Sequence, residues 1–236
     1  MKGRIRRGQV LEILTRSNVD SGLTELRRMP AGKVVNALFS FLYSQDESIK
    51  WRAATFMGLF VQDLAEEDME SARNVVRRLM WNLNDESGGI GWGSPEAMGE
   101  ILTCHEGLAR EYAPILFSYA NKDGNYLELP MLQRGLLWGI VRFAQARPHV
   151  VMGSKSHFFP YLHSEDPAVR GHAAWIVGLI GTTEDRDRLL PLLNDASAYT
   201  TYFVHQCIQH LVGETAKEAL SNIEKELNKK AKKCLS

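Results

Sequence analysis

Residues 162–181 read LHSEDPAVRGHAAWIVGLIG, and this stretch carries the clearest helix signals in the chain. Asp166 followed by Pro167 is typical of a helix start, because an aspartate side chain caps free backbone N–H groups and proline tolerates the first helical position. Ala174 and Gly178 then stand one helical turn apart and form a stripe of small residues. The stretch therefore predicts a helix that a neighbouring helix can approach closely.

The same pattern recurs along the chain with a period near 40 residues. Four segments align on a glycine, at intervals of 41, 40 and 39 residues: Gly58, Gly99, Gly139 and Gly178. A period of this length is typical of stacked helix pairs, and no stretch alternates apolar and polar residues over a useful length. We therefore predict an all-α fold, an α-α superhelix of about five antiparallel helix pairs with terminal capping helices.

The fifth pair has the weakest signal, and it is predicted through Leu189–Leu193 and Tyr202–Val212. Ser94-Pro95 repeats the helix-start pattern of Asp166-Pro167 in the second copy. Four tryptophans fall in helical positions that should face the core: Trp51, Trp81, Trp138 and Trp175.

Two of the copies resemble a known repeat. Residues 162–181 and the stretch DESIKWRAATFMG at residues 46–58, with Lys50 where the other copy has Arg170, are similar to a HEAT repeat of the type called the PBS-lyase HEAT-like repeat. The resemblance covers roughly residues 30–213. It implies a helical solenoid, and the superfamily includes scaffolds, chromophore lyases and DNA glycosylases, so the resemblance does not choose an activity.

The predicted organisation is one continuous domain in three parts. Residues 1–29 are expected to form basic N-terminal capping helices, and residues 30–213 the HEAT-like repeat array. Residues 214–236 should form a C-terminal capping helix with a basic tail, because a terminal helix needs a polar outer face.

The second copy departs from the other three at two positions. Glu96 stands three residues before its glycine and Glu100 one residue after it, where the other copies are mostly apolar. The two carboxylates lie four residues apart and therefore on one helix face. A buried carboxylate is costly unless it is paired or hydrogen-bonded. Either this face opens to solvent at a groove, or a charged or polar group meets it inside the protein.

A glycine-rich segment precedes these two glutamates. Residues 85–93 read DESGGIGWG and cannot hold a helix cheaply, so a loop is predicted there. In one interpretation this loop is a connector with Trp92 packed beneath it. In the other, Glu86, Trp92, Glu96 and Glu100 form a binding site for a partner, and the carboxylates are then accessible from a groove that also exposes Trp92 or Glu86.

No catalytic residue, metal site or cofactor is predicted. The sequence lacks a nucleophile elbow, a phosphate-binding loop and a dinucleotide fingerprint. His205, Cys207 and His210 match no zinc-ligand spacing. The odd number of cysteines favours a reduced, cytoplasmic setting, and no apolar run is long enough to span a membrane.

Charge is distributed unevenly, although the 28 basic and 28 acidic residues cancel. Residues 1–33 carry eight basic and three acidic groups, a net charge of +5, whereas residues 84–128 carry eight acidic and two basic groups, a net charge of −6. The acidic middle disfavours a nucleic acid and suits a basic peptide. We therefore expect a non-enzymatic HEAT-like scaffold that binds a protein or peptide partner on its concave face, with an oligomeric state that the sequence leaves open. The alternatives are a HEAT-like DNA-lesion glycosylase or a chromophore lyase.

Overall fold

Helices occupy most of the computed structural model, which describes residues 7–16, 18–84, 91–203 and 205–234, with side chains up to residue 225. Within these ranges eleven α-helices form: α1 (Arg7–Thr15), α2 (Val19–Leu26), α3 (Ala31–Leu42), α4 (Glu47–Glu67), α5 (Met69–Asn84), α6 (Ser94–Cys104), α7 (Glu106–Ser118), α8 (Pro130–Ala146), α9 (Pro148–Met152), α10 (Pro167–Ile180) and α11 (Val212–Cys234). Short 3₁₀ segments follow α9 and α10. Two strands, β1 (Ala198–Phe203) and β2 (Gln206–Leu211), form an antiparallel hairpin.

The chain divides into two compact units, one ending at Ala113 and the other beginning at Pro114. In the N-terminal unit α4 is the central helix, and it packs against α1, α2, α3, α5 and α6. In the C-terminal unit α10 is central, and it packs against α8, α9, α11 and β1. The prediction of an all-α helical repeat fold is confirmed. The predicted domain boundaries after residues 29 and 213 stay predictions.

Aspartate caps begin two of the repeat helices. Asp46 and Asp166 each accept hydrogen bonds from the backbone N–H groups two and three residues further on, at distances of 2.9 and 3.3 Å. The predicted start at Ser94 is wrong by one residue. The N-cap of α6 is Gly93, whose left-handed backbone leaves Ser94 inside the first turn.

Two of the repeat glycines, Gly58 and Gly178, allow helices of successive repeats to touch. All four glycines lie in second helices, namely α4, α6, α8 and α10. A Cβ atom placed on Gly58 would lie 2.8 Å from the Cβ of Glu100, and one placed on Gly178 would lie 2.6 Å from the Cα of Ala219. The partner residue is 42 positions further on in the first case and 41 in the second. Therefore α11 packs against α10 as α6 packs against α4, and it serves as the second helix of a fifth repeat.

The first half of that fifth repeat differs from the prediction. The expected helix at Leu189–Leu193 is a short 3₁₀ turn over Leu190–Leu192, and the expected helix at Tyr202–Val212 is wrong, because β1 and β2 occupy that segment. The hairpin turns at His205, which has a positive φ of 64°.

Aromatic packing explains the hairpin. Tyr199, Thr201 and Tyr202 are buried on β1, and aromatic and β-branched residues suit a half-buried strand. The ring of Tyr199 lies against the bare backbone of Gly171, where a Cβ atom would stand 2.4 Å from the ring. The carbonyl of Tyr202 accepts a hydrogen bond of 2.8 Å from the indole N–H of Trp138. The hairpin is therefore held by α8 and α10 rather than by a larger sheet.

Three of the four tryptophans lie where the sequence predicted. Trp51 and Trp138 are buried, and Trp175 is more than half buried. Trp81 is the exception, because 74% of its surface is exposed. The core position predicted for Trp81 is therefore wrong.

Candidate functional site

The candidate site lies in the N-terminal unit, at the edge where the first helix of each helix pair ends and the second helix begins. The end of α3 meets the start of α4 there, across residues 43–46. The end of α5 and the start of α6 reach the same edge, because α4 packs against both helices and the glycines before α6 contact the ends of α3 and α5. The residues predicted from the second repeat, Trp92 and Glu96, lie at this edge.

Two glycines fix the position of Trp92. A Cβ atom on Gly93 would lie 2.8 Å from the Cβ and the carbonyl oxygen of Leu42, and the φ of Gly93 is +73°. A Cβ atom on Gly91 would lie 2.7 Å from the carbonyl oxygen of Asn82. Only glycine fits such close backbone contacts and this left-handed conformation without strain. Trp92 is thus clamped between the ends of α3 and α5, where it is partly exposed.

Glu96 is buried in the first turn of α6 rather than open to solvent. Its Oε1 atom lies 3.9 Å from Nζ of Lys50, on the first turn of α4. Burial raises the pKa of the Glu96 carboxyl, and the nearby ammonium of Lys50 opposes that shift. The carboxylate therefore meets a cation inside the protein, which is the internal alternative of the two that the sequence left open.

Lys50 is shared between two carboxylates. Its Nζ atom lies 3.0 Å from Glu47, and it stands 4.9 Å from the centre of the Trp51 ring. The indole N–H of Trp51 donates a hydrogen bond of 2.9 Å to the same Glu47 carboxylate. Lys50 is mostly buried, whereas 61% of the Glu47 side chain is exposed. Glu47 is therefore the member of this cluster that reaches solvent.

Glu100 lies one turn deeper in α6. It is buried where α6 meets α4, with its Cβ against the backbone of Gly58. The groove in which Glu96 and Glu100 were both to be accessible is not formed, because the close approach of α4 covers this face. Glu86 lies outside the described residues. Whether any of the four predicted residues contacts a partner stays a prediction.

Two exposed aromatic residues at this edge were not predicted. Tyr43 follows α3 and Trp81 lies in the last turn of α5, with exposures of 46% and 74%. Tyr43 is adjacent to Leu42, which Gly93 contacts, and Trp81 is adjacent to Asn82, which Gly91 contacts. We call Tyr43, Trp81 and Trp92 the aromatic edge. The sequence held a signal for Trp81, since it lies two residues from Leu79 and thus opposite the apolar stripe of α5.

The basic residues closest to Trp81 in α5 are engaged elsewhere. Arg77 forms an ion pair of 2.6 Å with Glu70, and Arg78 donates a hydrogen bond of 2.6 Å to Asn36. Arg77 is thus paired with a carboxylate on its own helix, whereas Arg78 reaches across to the neutral side chain of Asn36 on α3 and keeps its positive charge. The surroundings of the aromatic edge therefore include the exposed carboxylate of Glu47 and the exposed guanidinium of Arg78.

The described residues contain neither a cluster of metal ligands nor a helix that could span a membrane. Nowhere in the described ranges do three His, Cys, Asp or Glu side chains come close enough to share a metal ion. None of the described helices has the length and apolar character needed to cross a bilayer.

Comparison with known proteins identifies the fold. No protein-family model matches the chain. An uncharacterised protein of Archaeoglobus fulgidus is 36% identical over 83 residues, which are 34% of this chain and 42% of that protein, so the chain spans less than half the length of this relative.

Solved structures of engineered repeat proteins match nearly the whole chain. One engineered protein has a TM-score of 0.51 at 17% identity, covering 93% of this chain and 96% of its own. A designed armadillo repeat protein in complex with the peptide (KR)4 also has a TM-score of 0.51, at 16% identity, covering 92% and 98% of the two chains. At such identities the likeness shows the fold alone, and that fold is an armadillo-like helical repeat.

Proposed function

We propose that this chain is a non-enzymatic interaction module of the HEAT-like type that binds a basic segment of a protein partner at the aromatic edge. The observation that carries the proposal is the exposure of Trp81 beside Tyr43 and the clamped Trp92. Large aromatic residues dominate binding energy when a partner covers them. The partner is expected to be basic because lysine and arginine are attracted to the faces of aromatic rings and to carboxylates.

The buried carboxylates act indirectly in this proposal. Glu96 faces Lys50 from inside at 3.9 Å, and Glu47, which lies 3.0 Å from the same ammonium, is the carboxylate that reaches solvent. Glu47 would meet the cationic groups of the peptide, although an exposed ion pair contributes only about 0.2–1 kcal/mol. The rings of the aromatic edge should therefore contribute most of the affinity.

The designed armadillo repeat protein gives independent support for the partner class. It shares the helical repeat fold and was solved with the peptide (KR)4. A helical repeat of this size can therefore hold an extended basic peptide, and the acidic stretch at residues 84–128 of this chain is compatible with such a ligand.

A titration with labelled peptide tests the proposal. Fluorescence anisotropy with fluorescein-labelled (KR)4 should show saturable binding, while an acidic peptide of the same length should not bind. Trp81→Ala and Trp92→Ala should each weaken binding at least about tenfold, which corresponds to about 1.4 kcal/mol. Binding should also weaken between about 50 and 300 mM salt, because exposed charges are screened.

Met131→Ala is the matched control, because Met131 is 47% exposed but lies in the C-terminal unit. It should leave the affinity unchanged. Equal affinities of the wild type and both tryptophan variants would contradict the proposal. So would preferential binding of a single-stranded DNA oligonucleotide over the basic peptide.

A further inference from the structure

The C-terminal unit contains a pocket of about 580 Å³ that is separate from the aromatic edge. One wall is the loop between α7 and α8, and the other is the pair of 3₁₀ segments Lys155–His157 and Phe159–His163. Its volume lies within the range of about 300–1,000 Å³ that is typical of small-molecule sites.

The loop that forms the first wall is firmly held. The N–H of Leu127 donates to the carbonyl of Tyr119 at 3.1 Å, and the side chain of Asn125 donates to the hydroxyl of Ser118 at 2.9 Å. Gly124 packs so closely on Ser118 that a Cβ atom would lie 2.7 Å from its carbonyl oxygen. The pocket is therefore largely formed before any ligand arrives, which lowers the entropic cost of binding.

A polar network lines the floor of the pocket. The amide nitrogen of Gln133, which is buried in the first turn of α8, donates to the carbonyl of Leu127 at 2.8 Å and to the phenol oxygen of Tyr126 at 3.1 Å. The phenol of Tyr161 donates to the carbonyl of Ala120 at 3.1 Å. Burial raises the pKa of Tyr161, and the neighbouring Tyr126 adds to this shift. The Tyr161 phenol therefore stays protonated at neutral pH.

This network leaves hydrogen-bonding capacity of both kinds. The Tyr126 hydroxyl accepts from Gln133 and also interacts with the Tyr161 phenol. The donors left for a ligand are therefore the amide nitrogen of Asn121 and the exposed hydroxyl of Ser156. The amide oxygen of Gln133 can accept, since the hydrogen bonds of that side chain all use its nitrogen. A ligand here would meet donors and acceptors side by side.

The charge and shape of the pocket lining restrict the class of ligand that would fit. The lining includes one cation, Lys122, and one anion, Asp123, which are adjacent on the exposed loop and cancel each other. An anionic ligand such as phosphate would need a surplus of cations, which this lining does not provide. The aromatic rings of Tyr126 and Tyr161 and the apolar ring of Pro160 suit the C–H face of a ring-shaped molecule.

We propose that this pocket binds a neutral, hydroxyl-rich ring of monosaccharide or disaccharide size. A hydroxyl group both donates and accepts, and so it matches the mixed hydrogen-bonding groups that Asn121, Tyr126 and Gln133 bring to the lining. The pocket and the aromatic edge lie in different units of the chain.

The test uses the full chain and ligand-observed NMR with glucose, N-acetylglucosamine and maltose as probes. Adenosine and inorganic phosphate serve as probes of other chemistry. At least one saccharide should bind saturably below about 20 mM. Ser156→Trp should abolish this binding, because Ser156 is an exposed lining residue and an indole there fills the pocket without disturbing the core. Tyr126→Phe should weaken binding at least about threefold by removing one hydroxyl.

Met152→Trp is the matched control, since Met152 is exposed nearby but does not line the pocket. It should bind the saccharide like the wild type. The proposal is overturned if none of the three saccharides binds saturably, or if saccharide binding survives Ser156→Trp. Tighter binding of adenosine or phosphate than of any saccharide would overturn the assigned ligand class.

Discussion

Replacing Gly178 with alanine should destabilise the C-terminal unit, although alanine is the better helix former. In the structure, the added Cβ atom would lie 2.6 Å from the Cα and 2.7 Å from the Cβ of Ala219 on α11. Carbon atoms in favourable contact are about 3.5–4.0 Å apart. The two helices would therefore have to separate by roughly 1 Å, and the nearest atoms belong to a backbone and a methyl group that cannot rotate away.

Two opposing effects set the magnitude. Overpacking a close contact costs typically about 1–3 kcal/mol. Replacing a glycine in a helix interior with alanine stabilises the helix by about 0.5–1 kcal/mol. The net change should be a loss of about 1–2 kcal/mol in the free energy of unfolding. For a chain of this length, that corresponds to a decrease in Tm of roughly 2–8 °C.

Thermal and urea unfolding followed by circular dichroism would measure the change. Gly32→Ala is the matched control, because Gly32 lies in helix α3 and a Cβ atom there would have no neighbour within 4 Å. That variant should be as stable as the wild type or slightly more stable. A second variant, Gly58→Ala, should behave like Gly178→Ala, since its Cβ atom would lie 2.8 Å from Glu100.

The reasoning fails if Gly178→Ala unfolds at the same temperature as the wild type or at a higher one. The packing of α10 against α11 would then be looser than the structure shows. Destabilisation of Gly32→Ala to the same extent would also refute it, because the loss could not then come from helix contact.

Three further predictions concern buried polar contacts. Trp138→Phe should lower the free energy of unfolding, measured in urea, by about 2 kcal/mol. The smaller ring leaves a cavity, and the hydrogen bond to the carbonyl of Tyr202 is lost. An unchanged free energy of unfolding would show that the hairpin does not depend on this contact. Glu96→Gln should raise Tm near pH 7 and leave it unchanged near about pH 4. Burial raises the pKa of Glu96 in the folded state above its pKa in the unfolded state. The wild type therefore loses stability as the pH rises from the unfolded-state pKa through the folded-state pKa, and glutamine, which cannot ionise, avoids this loss. An equal effect at both pH values would contradict this. Arg170→Lys should lower the free energy of unfolding by about 1–2 kcal/mol in the same assay. The guanidinium of Arg170 donates hydrogen bonds to Asp195, to the carbonyl of Ser164 and to the hydroxyl of Ser197, and one ammonium group cannot reach all three. Full stability of this variant would argue against that network.

The sequence alone determined the helical architecture and part of the candidate site. Helix starts depend on contacts within two or three residues, so the cap at Asp166 was predictable from its neighbours. The period near 40 residues can likewise be read from the sequence, and it predicted that Gly58 and Gly178 lie where helices contact each other. Trp92 was singled out because the glycines around it mark a segment where the backbone comes close to its neighbours.

Only the tertiary structure decided which of these positions are covered. Glu96 and Glu100 were correctly placed on one face of one helix, yet α4 covers that face and Lys50 meets the first of them. Trp81, predicted to be buried, is exposed, and with Tyr43 it supplies the rings that the sequence did not associate with Trp92.

The segment at residues 198–211 also shows that contacts between distant segments are not predictable from the local sequence. Its helix prediction was wrong because the strands are stabilised by Gly171 and Trp138, which lie 28 and 64 residues before the Tyr199 and Tyr202 that they contact. Local patterns fix the conformation of a helix, whereas burial depends on the distance between segments that are far apart in the chain. That distance is set by packing, and the periodicity of the sequence does not contain it.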